Sequence, residues 1–77
     1  MRIGKAIKSV MKSDKVTQSK LAEMVGAKSQ SVIAERLKMD NISINAVLDM
    51  LEALGYEMVI QSKESPDEKQ RIYISRD

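Results

Sequence analysis

Hydrophobic residues recur at helical spacing up to Gly55 and at strand spacing after it. Over residues 2–12, Ile3, Ile7, Val10 and Met11 fall on one side of a helix, with Lys5, Lys8 and Lys12 on the other as a solvated face. Gly4 weakens this helix, and Ser13-Asp14-Lys15 breaks its pattern. Thr17 supplies an N-cap for a second helix, whose first turn is Gln18-Ser19-Lys20 and whose Leu21, Ala22 and Val25 turn inward. Gly26 ends it, because a residue without Cβ takes the positive φ found at helix C-termini. After the short polar stretch Ala27-Lys28-Ser29-Gln30-Ser31, Ser29 is placed to cap a third helix in which Ile33 and Leu37 form an i, i+4 apolar pair. Met39-Asp40-Asn41 reads as a loop. Ser43 caps a fourth helix, striped by Ile44, Val47, Leu48, Leu51 and Leu54 and closed by Gly55.

Beyond Gly55 the period falls to two. Residues 56–61 and 71–75 are β-prone, and the polar SKESPDEK between them, with the only proline, suits an exposed turn. The expected fold is therefore mostly α: four helices over residues 1–55, then an antiparallel β-hairpin extension over 56–77. Met58 and Ile60 share one ribbon face, as do Ile72 and Ile74, while Val59 and Tyr73 point the other way. A lone two-stranded ribbon is marginal in water. One face can lie on the helices; the other, or the open edge, invites a partner. A twofold dimer that continues the sheet across its axis would bury Tyr56, Met58, Ile60, Ile72 and Ile74. The alternative is an intramolecular hairpin, with dimerisation through the fourth helix or none.

A chain of 77 residues and 8.6 kDa allows one small domain, burying about 60% of its unfolded surface. It has no cysteine and no histidine. Disulfides, thiolate metal sites, the commonest general base and any Ser/His or Cys/His pair are thereby excluded. Ser29 and Ser31 have no base beside them, and Asp49, Glu52 and Glu57 have no His or Cys to complete a metal site. No enzymatic activity, catalytic residue, metal or cofactor is expected. Met11, Met24, Met50 and Met58, four of the six methionines, sit at or near apolar positions and read as core filling. No apolar run is long enough to cross a membrane. The basic MRIGKAIKSVMK start lacks the hydrophobic core and small-residue cleavage site of a signal peptide, so a cytoplasmic location is expected.

Net charge is only +2, but residues 1–36 hold eight basic and three acidic residues, whereas residues 37–77 hold five basic and eight acidic. A half at +5 beside a half at −3 points the first toward a polyanion. Within it, VTQSKLAEMVGAKSQSVIAERL (residues 16–37) sets two short helices around a tight turn at Gly26, the second opening with small polar residues and a lysine. A helix N-terminus of that kind, inserted in a major groove, brings short side chains and free N–H groups to base edges and phosphates. The helix before it crosses the backbone and sets register.

This stretch, followed by NISINAVLDMLEALGY, resembles the phage-repressor (Xre-type, Cro/repressor) helix-turn-helix family. Thr17, Gln18, Leu21, Ala22, Gly26, Gln30, Ser31, Ser43, Leu48, Ala53, Leu54 and Gly55 match the family's text in order. The likeness covers about two-thirds of the chain. It implies a four-helix lambda-repressor-like domain that binds double-stranded DNA. By position, Thr17 and Gln18 correspond to the start of the phosphate-positioning helix, and Gln30 to the glutamine that opens the recognition helix and can read adenine. Lys28, Ser29 and Ser31 would add base-edge or phosphate contacts, and Arg36, Lys38 and Asn41 would lie near the backbone at the far end. Two departures stand out. Val32 is followed by Glu35 where members carry a second apolar residue, and Ile33 with Leu37 serve instead. That leaves open, by one position, which of Lys28, Ser29, Gln30 and Ser31 faces the bases. The usual Glu-x-Gly after the recognition helix is replaced by Leu37-Lys38-Met39-Asp40-Asn41.

The function expected is a sequence-specific transcriptional regulator, a repressor, reading an inverted repeat as a homodimer with half-sites one DNA turn apart, about 34 Å. The alternative is an antitoxin-type interaction module whose acidic second half grips a basic protein partner while the chain autoregulates its operon. The absence of Phe and Trp argues against RNA binding by base stacking.

Overall fold

In a computed structural model, residues 2–39, 41–64 and 70–76 are described. Four helices come first: α1 (Ile3–Asp14), α2 (Gln18–Val25), α3 (Gln30–Lys38) and α4 (Ile44–Leu54). Two short strands, β1 (Met58–Ile60) and β2 (Ile72–Ile74), follow and pair antiparallel within the chain, Met58 opposite Ile74, Val59 opposite Tyr73 and Ile60 opposite Ile72. The expected mostly α chain with a terminal hairpin is what forms, with strands shorter than the β-prone segments. Asp40 and most of the SKESPDEK turn, residues 65–69, lie outside the described residues.

The helices begin and end where local chemistry dictates. Thr17 Oγ1 accepts from the Lys20 N–H at 3.1 Å, and Ser43 Oγ accepts from the Ala46 N–H at 3.2 Å, each satisfying a first-turn donor. Gly26 (φ 73°) and Gly55 (φ 87°) close α2 and α4 in the left-handed region. In both, the next residue's N–H bonds back five positions, Ala27 to the Ala22 carbonyl and Tyr56 to the Leu51 carbonyl, each at 2.8 Å. α1 runs two residues beyond its expected end and closes in the same way at Lys15, a residue with a Cβ held at φ 58°. Its successor Val16 donates to the Met11 carbonyl at 2.8 Å and packs against the core.

Each helix gives the centre one fully buried large side chain: Ile7, Leu21, Ile33 and Met50. Met11, Ala22, Leu37 and Val47 complete the cluster, and no polar or charged residue is buried among the described ones. Two apolar assignments are corrected here. Met24, expected in the core, is 41% exposed, and Ile44, expected on the α4 stripe, is 54% exposed. Met24 follows Glu23 on the outer side of a two-turn helix. Ile44 opens α4, before the helix has met its neighbours. Of the other methionines singled out, Met11 and Met50 are buried and Met58 is half-buried.

Gly4, which reads as a weakness in α1, is instead a packing requirement. A Cβ built there would lie 2.2 Å from the Leu37 carbonyl oxygen, so α1 crosses the end of α3 backbone to backbone. Among the described residues, the ribbon rests on the helices through Met58 and two exposed polar links. Arg76 Nη1 donates to Asp49 Oδ1 of α4 at 2.6 Å, and the Tyr56 hydroxyl donates to Asp14 Oδ1 at the end of α1 at 3.3 Å. Such exposed links contribute little to stability. The hydrogen bond to Asp14, with desolvation and the carboxylate's charge adding to it, holds the Tyr56 phenol above its usual pKa. The folded state thus favours the neutral phenol. Its contribution is present below the unfolded phenol's pKa of about 10 and is lost as pH rises through the folded value.

Gly4→Ala should lower stability by roughly 1–3 kcal/mol, although alanine in an open helix would raise it by about 1 kcal/mol. Thermal denaturation followed by circular dichroism gives the sign; a melting point unchanged or raised would mean that α1 does not seat on Leu37. In a Tyr73→Phe background, Asp14→Ala should bring the Tyr56 phenol down toward the free value. Alkaline titration of tyrosinate absorbance reads that shift, and an unmoved curve would show the tail undocked from α1.

Candidate nucleic-acid interface

The surface around α2 and α3 is built by the rotation of α3 about its axis. Ile33 and Leu37 are buried and Val32 only half-buried, so the inward side is set by the i, i+4 pair. At about 100° per residue, Ser31, Glu35 and Lys38 then occupy the outward side, and all three are exposed. Gln30, also exposed, sits at the edge facing α2. There the Ser19 hydroxyl donates to Gln30 Oε1 at 2.6 Å, joining the first turns of the two helices. An amide oxygen has two lone pairs, so Oε1 keeps one free, and the Nε2 donors remain available beside it. The carboxamide is thus held in place without being used up.

Ser29 occupies the N-cap position of α3, but its side chain makes no capping bond, contrary to the expected cap. Its Oγ lies 2.8 Å from Ser31 Oγ instead. The Gln30 and Ser31 N–H groups at the start of a nine-residue helix therefore receive no side-chain acceptor from Ser29. Lys28 is exposed in the turn leading to them.

The remaining expected contact residues divide into two groups. Thr17 and Gln18 lie at the start of α2; Thr17 is exposed with its hydroxyl committed to capping, and Gln18 is half-buried. Arg36 (half-buried), Lys38 and Asn41 (both exposed) lie at the opposite end of α3 and in the loop after it. Helix rise separates Gln30 from Lys38 by about 12 Å. The expected set thus forms two clusters, at the two ends of α3, rather than one patch, with Thr17 and Gln18 at the start of α2. Near Lys38 a concavity of about 180 Å³ is lined by Arg2, Gly4, Lys5, Lys8, Leu37, Lys38 and Met39.

Two residues of this surface have no place among the expected contacts. Ser19 is identified by its bond across eleven positions to Gln30, an interaction with no local signature. Glu35 was legible in principle, since it stands one helical turn after Ser31 and opposite the apolar pair. A carboxylate there can accept from a cytosine N4 amino group but repels phosphates. The residues expected at a dimer interface also divide. Met58 and Ile74 are half-buried, whereas Tyr56 is exposed and bonded to Asp14, and Ile60 and Ile72 are 57% and 49% exposed.

Among the described residues no group of three acidic, His or Cys side chains is placed to hold a metal, and no helix is long and apolar enough to cross a membrane. Comparison of the chain with protein-family models, with curated proteins and with solved structures gives no match. What this surface can do is therefore decided by its own geometry.

Because Thr17 caps through its side chain and Ser29 does not, their truncations should differ. Thr17→Ala should cost about 1 kcal/mol, whereas Ser29→Ala should leave stability nearly unchanged. Urea denaturation midpoints of the two variants test this; equal losses would restore Ser29 as a capping residue.

Proposed function

We propose that the chain is a sequence-specific DNA-binding regulator of the lambda-repressor-like helix-turn-helix kind, acting as a repressor by occupying its operator. The observation that carries this reading is the pairing of the two helix starts through Ser19 and Gln30. It holds an exposed amide beside the α3 N-terminus, with Lys28, Ser29 and Ser31 around it. In this reading α3 enters the major groove N-terminus first, Gln30 reads an adenine, and Ser31 and Glu35 face neighbouring bases. Gln18 at the start of α2 contacts a phosphate, and Arg36, Lys38 and Asn41 meet the backbone at the other end of α3. Catalysis has no part in it.

The ribbon supports assembly into a homodimer. Val59, Ile60, Ile72 and Tyr73 are all more than a third exposed, on both faces of a two-stranded sheet with open edges. A twofold partner pairing along an edge would cover them and set two α3 helices to read an inverted repeat. Such doubling is also what specificity requires, because operators are typically bound by roughly 4–10 kcal/mol more tightly than random DNA. The same apolar ribbon favours the antitoxin-type reading as the second choice, with a protein partner in place of the second copy.

Selection of duplexes from a randomised library by the purified chain, at near-physiological salt, should enrich an inverted repeat with half-sites about one turn apart. Gln30→Ala should then weaken cognate binding by about 1–3 kcal/mol and relax preference at a single base pair. Binding that enriches no sequence would overturn the DNA-reading assignment, and a single unrepeated site would overturn the dimer. A tail-dependent complex with a basic protein, in the absence of any enriched sequence, would favour the second reading.

A further inference from the structure

The concavity at the far end of α3 adds to Lys38 residues that the proposed reading does not use. Its floor is the backbone crossing of Gly4 on Leu37, and its walls carry Lys5 and Lys8 from α1, Lys38 from α3, Arg2 and the half-exposed Met39. Arg2 is engaged in an interaction within the chain. Lys5, Lys8 and Lys38 are exposed and make no ion pair with a carboxylate among the described residues. Three exposed lysines lining one hollow make it a place of positive potential that an anion can share. Crossing the helices at a residue without a side chain is what draws the α1 lysines up to Lys38.

We propose that this cleft seats the DNA phosphodiester backbone at the edge of the groove that α3 enters, so that α1 is part of the DNA interface. The inference rests on the proposed DNA-reading function. Size favours a backbone phosphate over a small metabolite: about 180 Å³ is below the roughly 300–1,000 Å³ of pockets that enclose small molecules. Reach agrees with this occupant. The major groove is about 8.5 Å deep, and Lys38 stands about 12 Å along the helix from Gln30. With Gln30 at the base edges, the other end of α3 emerges at the groove rim, where the phosphates run. Lys5 and Lys8, three positions apart on α1, then follow the strand beyond Lys38. Met39, apolar and at the lip, suits contact with a deoxyribose between phosphates.

The test uses the full chain and the duplex it selects. Affinity is measured across about 50–200 mM salt for the wild type, for Lys5→Gln/Lys8→Gln, and for the triple variant that adds Lys38→Gln; circular dichroism checks that each is folded. Removing one lysine–phosphate pair should flatten the dependence of log K on log salt by about 0.9. For a homodimer on two half-sites each lysine counts twice, so the double variant should lose about 3.6 units of slope and the triple variant about 5.4, or half of each on a single half-site, with base preference at Gln30 retained. Methylphosphonate substitution of phosphates flanking the half-site should weaken the wild type but not the triple variant. If the double variant keeps the wild-type slope, α1 is outside the interface and the proposal fails, while selective binding by the wild type still upholds the DNA reading. If the wild type selects no duplex, that reading fails first. If inorganic phosphate at constant ionic strength competes for the cleft at millimolar concentration, the occupant is a free anion and the backbone assignment is wrong.

Discussion

The rotation of α3 is the constraint on which the rest of the surface depends. Ile33 is completely buried and Leu37 nearly so, and each such side chain contributes roughly 1.5–3 kcal/mol by leaving water. Turning the helix by one residue would expose Ile33 and draw Val32 inward, a loss that a domain of this size could not absorb. Hydrophobic burial therefore decides which polar residues are presented. It aims Ser31, Glu35 and Lys38 outward and leaves Gln30 at the edge where Ser19 can hold it. A one-residue ambiguity in the apolar pattern becomes a large ambiguity in chemistry, and the core resolves it.

The core is small and entirely apolar. Each of the four helices gives the core one fully buried side chain and at least one more buried residue. None of them can be spared. The ribbon stands apart from this arrangement. It is tied at its base by Met58, by the Arg76–Asp49 pair and by the Tyr56–Asp14 hydrogen bond, while its outer rung of Ile60 and Ile72 remains in water. Exposed apolar area on a two-stranded sheet is unfavourable for a lone chain and favourable for an associating one. Assembly through the ribbon would thus couple stability to concentration.

What could be read from the sequence was what is encoded locally. Thr17, Ser43, Gly26 and Gly55 mark helix ends because caps and left-handed turns are properties of a few adjacent residues. The antiparallel pairing of Met58–Ile60 with Ile72–Ile74 followed from alternation and an intervening polar turn. Features fixed by distant partners were not legible. Gly4 reads as a helix weakness until the Leu37 carbonyl is beside it. Lys15 lacks any signal for its positive φ, which follows from Val16 being drawn into the core. Ser29 was given a cap that its proximity to Ser31 replaces. Met24 has the apolar character of a core residue but sits on the outer side of a short helix. For the candidate interface, residue types were legible and their grouping was not, since only packing separates a cluster at the start of α3 from one at its end.

That separation bears on how such a surface would divide its work. Base contacts specify and phosphate contacts position. In the proposed reading Gln30, Ser31 and Glu35 would be of the first kind: they are short of positive charge, and Glu35 would oppose phosphates outright. Apart from Lys28 in the turn before α3, the cations of the candidate interface lie at the other end of the helix and on α1, so most of the attraction to a polyanion would act about 12 Å from the atoms that would read sequence. An attractive field centred on the bases would hold any DNA equally well. Placed at the rim, it would hold the backbone while a carboxylate near the bases would penalise a poor fit, and discrimination would improve because non-specific and specific binding would draw on different residues. The charge asymmetry of the chain would then serve more than attraction. Gly4 lets α1 close on the end of α3, and in the proposed reading that approach would bring the α1 lysines to the end of the helix away from the bases.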